Sequence, residues 1–149
     1  MKWITRERPK VDRIACPWLI QRFIDGDAEF LFVPAQDVLV VARRDGGHSF
    51  DAKGATYSHR KHADGSEWCT FETLIDAYQL DGDRALVELA KIVHAGDIAE
   101  DVDTHPFGPA LRAIGDAGTL VETDDHELLR RGRFVYDALY AHCERQISG

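Results

Sequence analysis

Two apolar stripes set the frame of this chain. Phe71, Leu74, Ile75 and Tyr78 recur at i, i+3, i+4 and i+7, and Leu86, Leu89, Ala90 and Val93 repeat the spacing shortly afterwards. Each set falls on one side of an α-helix and has to be covered by another element. Asp81 and Gly82 break the chain between them, so helices are expected over 70–79 and 83–95, with Thr70 as the first cap and Gly96 as the stop. So short a connection folds the pair back as an antiparallel hairpin. A chain with this centre folds largely as packed helices.

The flanking segments add a small sheet and more helix. Trp3 to Arg8 alternates bulky and charged side chains before Pro9, the pattern of a short edge strand. Pro17 suits a first helical position, which makes Cys16 the N-cap of a helix to about Asp25, with Leu19, Ile20, Phe23 and Ile24 inward. Glu29 to Val33, closed by Pro34, reads as a buried strand, giving a β-α-β opening. Val38 to Val41 fits a strand or a short helix equally well. Gly46 to Trp68 is loop-rich, with Ala55 to His59 its best candidate strand. Phe107 to Val121 is a weaker helix, kinked or short, because Gly115 and Gly118 each cost about 1 kcal/mol against alanine. Asp124 and Glu127 open a last helix that runs through Leu128, Val135, Leu139 and His142 to near Gln146. The expected class is α+β and predominantly helical: a small N-terminal β-α-β sheet portion packed on an antiparallel helical bundle, as one domain over 1–149.

Composition narrows the function classes. With 44% apolar residues in 149, one core forms without disulfides. Cys16, Cys69 and Cys143 are odd in number and far apart, as in a reducing compartment, and no apolar run matches a membrane span or a secretory signal. A cytoplasmic protein is expected, without membrane contact. The net charge of −8 disfavours stand-alone nucleic-acid binding, although Lys2, Arg6, Arg8, Lys10 and Arg13 can form a local patch for a small anion.

The helical hairpin also gathers polar residues. The start of its first helix and the end of its second share one end, which brings together Cys69, Glu72, His94 and Asp97. The last helix climbs back toward that end around Tyr136, Asp137 and Tyr140, and His59 with Arg60 can join from the loop region. His59, Glu72, His94 and Asp97 are the candidate metal ligands, of a type that binds zinc, manganese or iron. Arg60, Cys69, Tyr136, Asp137, Arg6, Arg8 and Arg13 are candidates for contact with a bound ion. The alternative is a polar network that stiffens the helical end, with His94 merely bonded to a carboxylate. His62 completes an H-x-x-H with His59 in a loop, where such pairs commonly bind nothing. His142 reads as a core histidine, and His48, His105 and His126 as surface or capping residues. Cys16, at a helix N-terminus near Arg13, is a candidate reactive thiol, with a buried structural thiol as the alternative. No G-x-S-x-G, phosphate-binding loop or dinucleotide glycine pattern is present.

The stretch RERPKVDRIACPWLIQRFID at residues 6–25, followed by EFLFVP, SHR, CTFE, the IVH-x-x-D run and the closing YDALY, resembles the chromate-resistance ChrB family. The resemblance covers nearly the whole chain. It departs in reading HAGDIAED where relatives often carry a more acidic run. It implies the C-terminal domain of a chromate-responsive regulator, found also beside other modules. On that footing the chain is expected to be a metal- or oxyanion-binding sensor or accessory domain in chromate resistance. Its ligand would be a small ion or an oxyanion such as chromate, and its partner a second copy or a regulatory protein. The alternative is a metal-dependent redox or detoxifying enzyme in which Cys16 or Cys69 supplies electrons.

Overall fold

The computed structural model describes residues 1–149. Strand β1 (Lys2–Arg6) leads to helix α1 (Asp12–Leu19), which passes into a π-helical turn, Ile20–Ile24, before strand β2 (Glu29–Val33). Strands β1 and β2 pair in parallel from Lys2 opposite Glu29 to Arg6 opposite Val33, so the β-α-β opening is present. Helix α2 (Val38–Asp45) and the short strand β3 (His48–Ser49) follow. Strand β3 pairs with β1 in parallel on its other side, giving the order β2-β1-β3.

Strand β1 is therefore central, not an edge. The reason lies in its side chains: Trp3, Ile4 and Thr5 are all buried. Successive residues of a strand point to opposite faces. Trp3 joins the main core, and Ile4 joins a small cluster with Val38, Val41, Ala42 and Ala52. The same cluster resolves the segment left open above. Val38, Val41 and Ala42 are buried at i, i+3 and i+4 while Val40 is exposed, which only a helix allows, and left-handed Gly46 ends it.

A hairpin of β4 (Arg60–Lys61) and β5 (Glu67–Trp68) leads into α3 (Thr70–Ala77), α4 (Arg84–Asp97), α5 (Gly108–Val121) and α6 (Asp125–Ser148). The strand expected at Ala55 to His59 is absent, and Tyr57 makes only a single bridge to Phe50. That loop is held by Asp51 N donating to Tyr57 O at 2.8 Å and Tyr57 N to Ser49 O at 3.2 Å, and by Ser49 Oγ accepting from Thr56 N at 2.9 Å. Phe71, Leu74 and Ile75 of α3 and Leu86, Leu89, Ala90 and Val93 of α4 are buried as their stripes require. On α6 the buried line is Leu129, Tyr136, Tyr140 and Cys143, while Val135, Leu139 and His142 are only half-buried.

Three helix boundaries differ from expectation. Helix α1 begins at Asp12, so Pro17 lies inside it and Cys16 is a buried mid-helix residue, not a cap. The cap of α3 is Cys69, not Thr70. Gly96 does not stop α4, which runs on through Asp97. Helix α5 is uninterrupted, and its Gly115 serves a close approach: a Cβ there would stand 2.6 Å from Val11 Cγ2. Helix α6 packs on α1 and α4, and α5 packs on α4. No helix is long and apolar enough to cross a membrane.

Candidate metal centre

Asp12, the first residue of α1, reaches across to the first turn of α3. Its Oδ2 accepts from Thr70 N at 2.8 Å and its Oδ1 from Phe71 N at 3.1 Å, so α1 is tied to the N-terminus of α3 through a buried carboxylate. Cys16 donates its thiol to the same Oδ1 at 3.2 Å. Burial, then Asp97 and Asp51, push the Asp12 carboxyl up to about 7, against the pull of His59. The two N–H donors and the positive end of α3 also favour its anion.

His59 is the centre of this carboxylate group. Its Nε2 lies 3.1 Å from Asp97 Oδ2 and 3.4 Å from both Asp12 Oδ2 and Asp51 Oδ1. Its Nδ1 lies 3.4 Å from Glu67 Oε1. Hydrogen bonds to Asp12 and Asp97 raise the imidazole to about 11, against its partial burial. A histidine raised in this way stabilises the fold fully below its ordinary value of 6.5, and that contribution is lost as pH rises through about 11. Chelator-treated wild type is therefore expected to lose stability relative to His59→Gln across that range. Parallel unfolding curves for the two proteins would show that His59 carries no such linkage.

Asp51 connects the group to the N-terminal arginines. It holds a left-handed backbone, φ 48°, which aims its buried carboxylate inward. Oδ1 accepts from Thr70 Oγ1 at 2.9 Å, and Oδ2 faces Arg6 Nη2 at 3.3 Å and Arg13 Nη1 at 3.4 Å. Burial, with Arg6 nearby, lowers the Arg13 guanidinium, and Asp51 counteracts this. A cavity of about 390 Å³ opens beside His59, lined also by Arg6, Asp51, Lys53 and Ser58. A groove of similar volume, about 350 Å³, is mostly apolar, lined by Leu111, Ile114, Val121 and Leu128, with Glu122 and Arg131 among its polar residues.

The four expected metal ligands fall into two groups. Asp97 stands with His59 and Asp12, their ligand atoms all within 4.8 Å of one another. Glu72 and His94 stand with Cys69 in a second group of the same compactness. Tyr136 lies close by, its hydroxyl donating to Val11 O at 3.1 Å. Burial, then Asp12 and Asp97, push that hydroxyl well up.

Other candidates are placed elsewhere. Asp137 accepts from Trp18 Nε1 at 2.8 Å and pairs with Arg22 on the surface. Arg60 pairs with Asp76 and stacks on Trp68. Arg8 braces the α5–α6 turn, donating to Thr119 O and Thr123 O at 2.6 Å and pairing with Asp125. Cys16 is fully buried, and burial and Asp12 push its thiol well up, the reverse of what a helix N-terminus would do.

Asp12 and Asp51 were not singled out from the sequence. A signal existed for Asp12, a lone acid between Val11 and the apolar Ile14–Ala15–Cys16 run, where only a paired charge is tolerated. Asp51 lies in the loop-rich region and had none.

Fold and site together define a small α+β protein in which a partly exposed histidine meets buried carboxylates at the N-terminus of one helix. The sequence profile of the family described as ChrB, C-terminal domain, matches residues 3–143, and the chain belongs to that family. It is 34% identical over 146 residues to Protein ChrB of Cupriavidus metallidurans, across 95% of this chain and 40% of that protein. The chain thus spans well under half the length of this curated relative. No solved structure matches it.

Proposed function

We propose that this domain binds a divalent transition metal through Asp12, His59 and Asp97 and presents it to a small oxyanion, as part of chromate resistance. One observation carries the reading: three segments far apart in sequence aim an imidazole and two carboxylates at one point, with ligand atoms all within 4.8 Å. Asp51 stands within reach of the same imidazole nitrogen. Glu67, 3.4 Å from Nδ1, would serve as the outer partner that orients the ring of a metal-binding histidine. An oxygen-rich set with one imidazole suits manganese or iron.

A cation at this point also answers the electrostatic objection to an anionic ligand on a chain of net charge −8. It offsets the charge of the carboxylates, so that Lys53 and Arg6, the latter also paired with Asp51, can attract an oxyanion from the wall of the adjoining cavity. The redox alternative needs an accessible thiol, and Cys16 and Cys69 are fully buried. Binding without turnover, as in a sensor or accessory domain, is the reading these features support. Cytoplasmic operation agrees with three free cysteines.

The test is titration of chelator-stripped protein with Mn²⁺, followed by chromate. Wild type is expected to bind the metal saturably, and folded His59→Ala and Asp97→Asn variants to lose at least about 10-fold in affinity. Chromate should then bind the metal-loaded protein more tightly than the stripped protein, and Arg6→Ala should weaken it. Equal metal binding by wild type and His59→Ala would overturn the proposal.

A further inference from the structure

Cys69, Glu72 and His94 share no ligand with the centre proposed above. His94 lies one helical turn before Asp97 on α4, and Cys69 immediately precedes the two residues that donate to Asp12. We infer that these three side chains form a second, separate cation site, suited to a thiophilic divalent ion such as zinc.

The arrangement of His94 carries this inference. Its Nε2 is held by Asp101 Oδ2 at 2.7 Å, while its Nδ1 points at Glu72 Oε1, 2.5 Å away. One ring nitrogen bonded to a carboxylate and the other aimed into a cluster of ligand atoms is how proteins orient a metal-binding imidazole. The Cys69 sulfur completes the group, all three ligand atoms lying within 4.8 Å of one another. Glu72 Oε1 also accepts from Cys69 N at 3.0 Å, so the helix cap already fixes two of the three ligands.

The identity of the capping residue is a second argument. Ser, Thr, Asp and Asn cap helices well, and cysteine is not among the preferred residues. A cap alone gives no reason for sulfur here, whereas coordination does. The set of one thiolate, one imidazole and one carboxylate is borderline-soft, unlike the oxygen-rich group around His59. Binding releases the Cys69 thiol proton and the proton shared between Glu72 and His94, so the ion replaces two protons without any change of oxidation state. Cys69 is buried, but His94 and Glu72 keep 18% and 22% exposure, which gives an ion a path from that side.

Cobalt(II) is the probe, because a cobalt–thiolate bond adds a charge-transfer band in the near ultraviolet. Chelator-stripped wild type titrated with Co²⁺ is expected to develop this band, and Zn²⁺, but not Mg²⁺, to abolish it. Cys69→Ser keeps a good helix cap and should lose the band. His59→Ala, which disables the first centre, should retain it. Asp101→Asn, acting only through His94, should weaken the cobalt binding by about 10–100-fold. His94→Gln should remove or strongly weaken it. No band in wild type, or a band persisting in Cys69→Ser, overturns the proposal. Loss of the band in folded His59→Ala would reveal one mixed centre and overturn it equally, whatever becomes of Mn²⁺ binding at the first site.

Discussion

Replacing Asp12 by alanine is expected to lower the unfolding free energy by about 2–5 kcal/mol. The carboxylate accepts from Thr70 N and Phe71 N, both in the buried first turn of α3, and from the Cys16 thiol. Alanine fills none of these roles, and each buried N–H left without an acceptor costs about 1–3 kcal/mol. Asp12→Asn retains one acceptor oxygen but turns an amide donor toward the other N–H, so an intermediate loss is expected. Urea denaturation followed by circular dichroism measures both. A loss under about 0.5 kcal/mol for Asp12→Ala, the range of ordinary surface changes, would show that α3 finds other acceptors and that Asp12 does not hold α1 to it.

The second large effect falls on Trp3. Its side chain is 1% exposed, lies against Phe50 and Tyr57, and donates through Nε1 to Asp25 Oδ2 at 3.0 Å. Trp3→Ala removes a large side chain from the junction of sheet and helices, at an expected cost of about 3–5 kcal/mol. Trp3→Phe keeps most of the ring packing and loses the bond to Asp25, so a smaller loss is expected. The comparison reads packing separately from hydrogen bonding. Equal destabilisation by the two variants would mean that the bond to Asp25, not the buried volume, is what Trp3 contributes. Because Tyr57 lies two residues before His59 and packs on Trp3, a loosened Trp3→Ala core should also reduce metal affinity.

The sequence revealed the helices more clearly than it revealed their ends. The stripes of α3 and α4 were legible because burial on one face imposes a 3.6-residue period. Asp124 was legible as the cap of α6, where its side chain accepts from His126 N and Glu127 N. Pro17 misled because proline is comfortable at a helix start, yet here α1 tolerates it internally and gives way to a π-helical turn just beyond. Strand β1 read as an edge because its alternation of bulky and charged residues does not reveal that its second partner, β3, is only two residues long.

The site was legible where helix geometry determined it and obscure where loops did. The end of the helical hairpin did bring Glu72, His94 and Cys69 together. That Asp97 would turn instead toward His59 could not be read from spacing, because it depends on the loop before β4 and on α4 continuing past Gly96. Arg6 and Arg13 meet at Asp51, a residue whose inward direction comes from a left-handed backbone with no period to reveal it.

The brace made by Arg8 constrains how a ribosome can deliver this fold. Arg8 leaves the tunnel well ahead of its partners at Thr119, Thr123 and Asp125, which lie more than a hundred positions downstream, at separations of 111, 115 and 117. Tyr136, which donates to Val11 O just ahead of Asp12, emerges later still, at a separation of 125. During vectorial synthesis the sheet and the first four helices can gather while α1 remains open on the side that α6 will occupy. The Tyr136 hydroxyl then seals the start of α1 only once the last helix docks.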